Sequence, residues 1–199
     1  MSLLFIHVPH TCGRLLNRIL HYKIDSYYRI HNELDYTTKS FENMYIILRE
    51  PVERCIAEYT HYSNRYHSHN IKVNNMTISD DSYGSIVSYY SNECTRNIAC
   101  KMILQKPFNC EITDEDFELI LNKKFIYDIY SENITLSNLD NIYNNISDEL
   151  NNPQYGRYIR TRDYQILTEE EKYFIRKRNN MISSYLNNVQ LKELTRNAS

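Results

Sequence analysis

Residues 5–16 read FIHVPHTCGRLL and set Gly13 beside His10, Thr11, Cys12 and Arg14. The chain has only 3 glycines in 199 residues, so its use in this first turn calls for a reason. One is anion chemistry. An apolar strand turning sharply into a helix exposes amides that lack intrahelical acceptors and carry partial positive charge, so they cradle phosphate or sulfate. A residue without Cβ lets backbone approach such a group closely. His10 and Arg14 add charge, and Thr11 adds a hydroxyl. The loop is not a Walker A sequence, because GxxxxGK[ST] is absent. On these residues alone a purely architectural turn is the commoner explanation.

A second group sits in ILREPVERCIAEY, residues 47–59. Arg49 falls at the carboxyl end of an apolar run, just before a proline and a helical pattern. Ligands of open parallel sheets bind outside those carboxyl ends, and an arginine there can fork onto a phosphate. A plain ion pair with Glu50 or Glu53 is the structural alternative.

The elements that must position these residues follow from periodicity. Apolar runs at 3–8, 26–31, 43–50 and 125–130 predict strands, the third buried on both faces. Leu15, Leu16, Ile19 and Leu20 predict a helix over 13–23. Pro51 suits the first turn of a helix, and Val52, Cys55, Ile56 and Tyr59 carry it to about Tyr62. Residues 64–82 read as a polar surface loop. Helices are expected over 83–91, 94–105 and 135–150. Capping boxes at Thr113–Asp116 and Thr168–Glu171 open two more, the last of them long. Residues 151–166 read as a polar link. This order predicts an α/β fold with a short central parallel sheet flanked by helices, in a single domain spanning 1–199.

Composition narrows the partners. Hydrophobic residues are 42% of the chain and aromatics 13%, enough for a core. The formal charge of −2 gives no reason to expect nucleic acid or a membrane surface as partner, so any anion site is local. No signal peptide or spanning segment is legible, which predicts a cytoplasmic or otherwise soluble protein. Five cysteines at irregular spacing suggest reduced thiols and no metal site.

The two segments together resemble a known family. FIHVPHTCGRLL is similar to the FIHxPKTGGTSL signature of sulfotransferases that use 3'-phosphoadenosine 5'-phosphosulfate. LREPVERCIAEY is similar to their LRDPVERLxSxY signature. SNECTRNIAC (91–100) resembles NxQTRxLAG of the carbohydrate-type branch, and TEEEKYFIRKRNNMISSYL resembles that branch's last helix. The resemblance implies a P-loop-like fold and sulfuryl transfer to a hydroxyl, with a carbohydrate favoured as acceptor. It implies that His10, Thr11, Cys12, Gly13, Arg14 and Leu15 hold the 5'-phosphosulfate. Arg49, Arg54, Ala57 and Arg96 would complete the nucleotide site. His10 would act in catalysis as a cation, and His31, just after the second strand, would be the base. No metal is implied.

This chain departs from the pattern where it matters. The family lysine is His10, whose imidazolium a nearby phosphate would favour. The first loop glycine is Cys12, which demands negative φ or strain. The loop threonine is Arg14, the serine of the second signature is Ala57, and the glutamine of the third is Cys94. Two alternatives follow: a weak or inactive nucleotide-binding or interaction protein of the same fold, or a P-loop small-molecule kinase. The missing lysine and Ser/Thr–Mg²⁺ pair count against the kinase.

Overall fold

The computed structural model describes residues 2–65, 70–73, 76–79, 93–130, 136–150 and 167–187. In chain order its elements are β1 (Ser2–Ile6), α1 (Gly13–Lys23), β2 (Ser26–Ile30), β3 (Asn43–Leu48), α2 (Pro51–Arg65), β4 (Asn70–Val73), β5 (Met76–Ser79), α3 (Ile98–Leu104), α4 (Asp114–Asn122), β6 (Ile126–Ile129), α5 (Ser137–Asp140), α6 (Ile146–Leu150) and α7 (Glu169–Arg178). The chain divides into two compact units. Unit 1 is Met1–Arg49 with Lys123–Tyr164, and unit 2 is Glu50–Asn122 with Gln165–Ser199.

The fold is α/β, with a four-stranded, all-parallel sheet in unit 1, in the order β2-β1-β3-β6. Leu3 and Phe5 of β1 join Tyr45 and Ile47 of β3 in one core with Leu16, Ile19 and Leu20 of α1 and with Leu139 and Ile146 from α5 and α6. The i, i+3, i+4 spacing of the α1 residues is what turns that stripe onto the sheet. Burying each such side chain stabilises the fold by roughly 1.5–3 kcal/mol. The alternate residues Leu4, Ile6, Ile46 and Leu48 are buried as well, as a parallel sheet requires.

A buried carboxylate ties β6 to the segment after it. Asp128 accepts from the Tyr45 hydroxyl at 2.8 Å and from the amides of Asn138 and Leu139 at 3.0 and 3.2 Å. It thereby caps the first turn of α5. Burial raises its pKa despite these bonds.

In unit 2, α2 opens at Pro51 as expected and runs to Arg65. The expected loop 64–82 contains the antiparallel pair β4–β5. The helix predicted over 94–105 is instead a 3-10 turn, Glu93–Thr95, followed by α3, because Asn97 between them is left-handed at φ 47°. The one predicted over 135–150 breaks into α5 and α6, with Asn145 left-handed at φ 65°. Both capping boxes form: Asp116 pairs with Thr113 and Glu171 with Thr168, side chain to backbone in both directions. The last helix pauses at Asn179 and resumes over 180–187. The predicted helix 83–91 and link 151–166 lie outside the described residues. None of the five cysteines forms a disulfide. Among the described residues no helix is long and apolar enough to cross a membrane.

Candidate active site at the carboxyl edge of the sheet

Unit 1 gathers eight of the candidate residues at one end of its sheet. β1 lies between β2 and β3, so the chain crosses to one side after β1 and returns to the other for β3. That reversal is a topological switch point, where open parallel sheets bind ligands. The β1–α1 loop carries His10 to Leu15, His31 follows β2, and Arg49 follows β3.

The loop is braced from within. His10 and Cys12 both adopt left-handed backbone at φ 65°, a conformation costly for residues with a Cβ. Cys12 therefore takes the strained course rather than the negative-φ one. The Thr11 hydroxyl, buried, donates to the Val8 carbonyl at 2.7 Å. It ties the loop together instead of projecting toward a ligand. Leu15 N–H donates to the Cys12 carbonyl at 3.2 Å, so its amide closes the first turn. No side chain caps α1, and its first turn holds no acidic residue. The amides at its start thus keep their positive character, and Arg14 beside them is exposed.

Gly13 has a specific cause. A Cβ added there would stand 1.8 Å from Cδ2 and 2.2 Å from Nε2 of His7. His7 shares the core face of β1 with Leu3 and Phe5 by strand alternation. Its ring stacks on Phe5 at 5.7 Å and on His31 at 4.3 Å between centroids. On the side where a Cβ would stand, the space above Gly13 is filled by an imidazole.

Parallel register explains the histidine pair. Ile6 pairs with Ile30, and His7 N–H donates to the Ile30 carbonyl at 2.8 Å, so positions 7 and 31 stand side by side. Burial lowers the pKa of His7 to about 2, with His31, Arg29 and Arg14 adding repulsion. Burial also lowers the pKa of His31, partly offset by its contact with the His7 carbonyl and by Asp35. That contact, Nδ1 to carbonyl oxygen at 3.4 Å, places the ring proton on Nδ1 and leaves Nε2 its lone pair. His31 is thus a neutral imidazole held at a loop end, and its backbone amide is fixed by Asp35 Oδ2 at 2.8 Å.

Arg49 reaches across to the loop. Its guanidinium donates to the His10 carbonyl at 3.0 Å and lies 4.4 Å from the centre of the Tyr130 ring. In unit 2, Glu50 pairs with Arg176 at 3.3 Å. His7, Arg29, Asp35 and Tyr130 were not singled out from sequence. His7 was the one within reach, since alternation along LLFIH sets it on the core face.

The remaining candidates lie in unit 2. Arg54 is buried on α2 and bonded to Glu58 at 2.9 Å, one helical turn on. Ala57, nearby on α2, is buried. Arg96 is ion-paired with Glu93 and lines a cleft of unit 2. No protein-family model matches the chain, and comparison with curated proteins and with solved structures finds no match.

Proposed function

We propose that this chain is a P-loop-like, sulfotransferase-like protein. It would bind 3'-phosphoadenosine 5'-phosphosulfate at the carboxyl edge of its parallel sheet and transfer the sulfuryl group to an acceptor hydroxyl, with a carbohydrate favoured. The observation that carries the reading is the Arg49–His10 hydrogen bond, which joins the two signature segments in one place. Uncapped amides at the start of α1, with Arg14, receive the 5'-phosphosulfate, and Arg49 faces the 3'-phosphate. Nε2 of His31 takes the acceptor's proton as its oxygen bonds to sulfur. The bond from sulfur to the 5'-phosphate oxygen breaks, and its electron pair leaves with the phosphate. Catalysis then rests on alignment and on neutralising that leaving group.

One observation favours a second reading, a nucleotide- or partner-binding protein with little catalysis. The slot over Gly13 holds His7, and the Thr11 hydroxyl and Leu15 amide are used within the loop. Labelled-sulfate transfer from the donor to a panel of glycans, phenols and peptides separates the two. Transfer abolished by His31→Ala supports the enzyme. Nucleotide binding without transfer to any acceptor supports the second reading.

A further inference from the structure

Unit 2 contains a cleft of about 760 Å³, and of the residues lining it only Arg96 was expected at the nucleotide site. Its lining includes Arg96 and Asn97 from the turn before α3, Glu111 and Asp114 at the start of α4, and Lys177 and Arg178 at the end of α7. Helix dipoles explain acids at the start of α4 and bases at the end of α7. They do not explain Arg96 and Asn97. Among the described residues, Nε of Arg96 and Oδ1 of Asn97 are both buried with no hydrogen-bond partner. Native proteins rarely leave such atoms unsatisfied, and the exceptions point to something absent.

Asn97 is the more telling of the two. It is 8% exposed, its backbone is left-handed, and its amide donates to Asn179 Oδ1 at 3.0 Å. The residue is fixed and lines the cleft, while its side-chain oxygen, itself buried, is left over. Beside it, Arg96 gives one nitrogen to Glu93 and keeps Nε. A donor and an acceptor side by side match a group that both accepts and donates, as a peptide unit does.

The charges say more. Burial disfavours the charged form of Arg96, Arg178 adds to this and Glu111 opposes it, so these three groups share one electrostatic environment. Among the described residues Glu111, Lys177 and Arg178 make no ion pair. Arg178 stacks instead on Phe174 at 5.4 Å, and Phe174 also lines the cleft. A simple anion would also meet Glu111 and Asp114, and a simple cation would meet Lys177. From this juxtaposition we infer that the cleft binds a zwitterionic short peptide, its carboxylate toward Arg178, its ammonium toward Glu111 and a peptide unit between them toward Arg96 and Asn97. The volume falls within the range of about 300–1,000 Å³ found for ligand sites, and it exceeds what a single amino acid fills.

The test is calorimetric titration of the full-length protein with the tripeptide Ala-Leu-Ala, its N-acetyl form, its C-terminal amide and a neutral trisaccharide. The free tripeptide should bind saturably. Each capped form should bind at least about tenfold more weakly, which is ~1.4 kcal/mol. Glu111→Gln and Arg178→Gln, both changes of solvent-accessible side chains, should each weaken the free peptide by a similar factor. Three results would overturn the inference: no saturable binding of any peptide at about 10 mM, well above the ~1 mM that weak sites show; equal affinity for free and capped peptides; or a trisaccharide that binds as tightly. Binding of 3'-phosphoadenosine 5'-phosphate is read in a separate titration, so failure here leaves the nucleotide reading untouched.

Discussion

Gly13→Ala is the sharpest perturbation that the fold of unit 1 offers. The new methyl would fall 1.8 Å from Cδ2 of His7, whereas ordinary carbon contacts begin at about 3.5 Å. The ring must therefore retreat by about 1.7 Å, or α1 must lift from the sheet by as much. The ring has nowhere easy to go: it is 3% exposed and stacked on both Phe5 and His31. Overpacking of this kind costs about 1–3 kcal/mol, and a rigid ring puts Gly13→Ala at or above the upper end. For a chain of this size that is a fall in melting temperature of about 6–12 °C. Urea unfolding followed by circular dichroism, on Gly13→Ala, His7→Ala and the double variant, checks the cause as well as the cost. Since His7→Ala removes the obstacle, the two changes should be strongly non-additive, with a coupling of about 2 kcal/mol. A Gly13→Ala protein within about 0.5 kcal/mol of the parent, or additive costs, would refute the assignment.

Other outcomes follow from the same contacts. His7 is held neutral with its pKa near 2, while in the unfolded chain it takes a proton near 6.5. Its contribution is therefore intact above about pH 6.5 and declines as pH falls, by about 1.4 kcal/mol per unit, a slope that His7→Phe should remove when stability is compared at pH 7 and 4.5. Arg54→Ala leaves Glu58, fully buried, without its ion pair and should cost about 3–5 kcal/mol by chemical denaturation, whereas Arg54→Met with Glu58→Leu should cost much less. Tyr45→Phe strips Asp128 of one buried donor and should cost about 1–3 kcal/mol in the same assay. If His31 is the base, His31→Ala should lower the transfer rate about 10²–10⁴-fold while leaving nucleotide affinity within a factor of a few.

The framework was legible because its signals are local. The parallel strands, α1 and the proline that opens α2 all announce themselves in apolar periodicity. So do the two capping boxes, whose partners stand three residues apart. The breaks were not legible. Asn97 and Asn145 interrupt helical patterns by adopting left-handed backbone, which asparagine tolerates but does not advertise. The β4–β5 pair lies in polar sequence with little alternation to reveal it. At the site, sequence brought Arg49 and the β1–α1 loop to one end of the sheet, and the hydrogen bond between them is there. It did not disclose what fills the space above Gly13, because the occupant is a strand residue whose ring reaches the helix only through tertiary packing. The internal partners of Arg54 and Thr11 were not legible either: a buried polar side chain takes the nearest partner, which spacing along the chain does not disclose.

The central claim is that the carboxyl edge of the sheet is a nucleotide site organised by Arg49. Calorimetric titration with 3'-phosphoadenosine 5'-phosphate, on the parent protein and on Arg49→Gln, tests it most directly. The account predicts saturable binding that weakens at least about tenfold in the variant, the ~1.5–3 kcal/mol of a lost charge-assisted contact. No binding at about 1 mM ligand, or equal affinity in the two proteins, would contradict it.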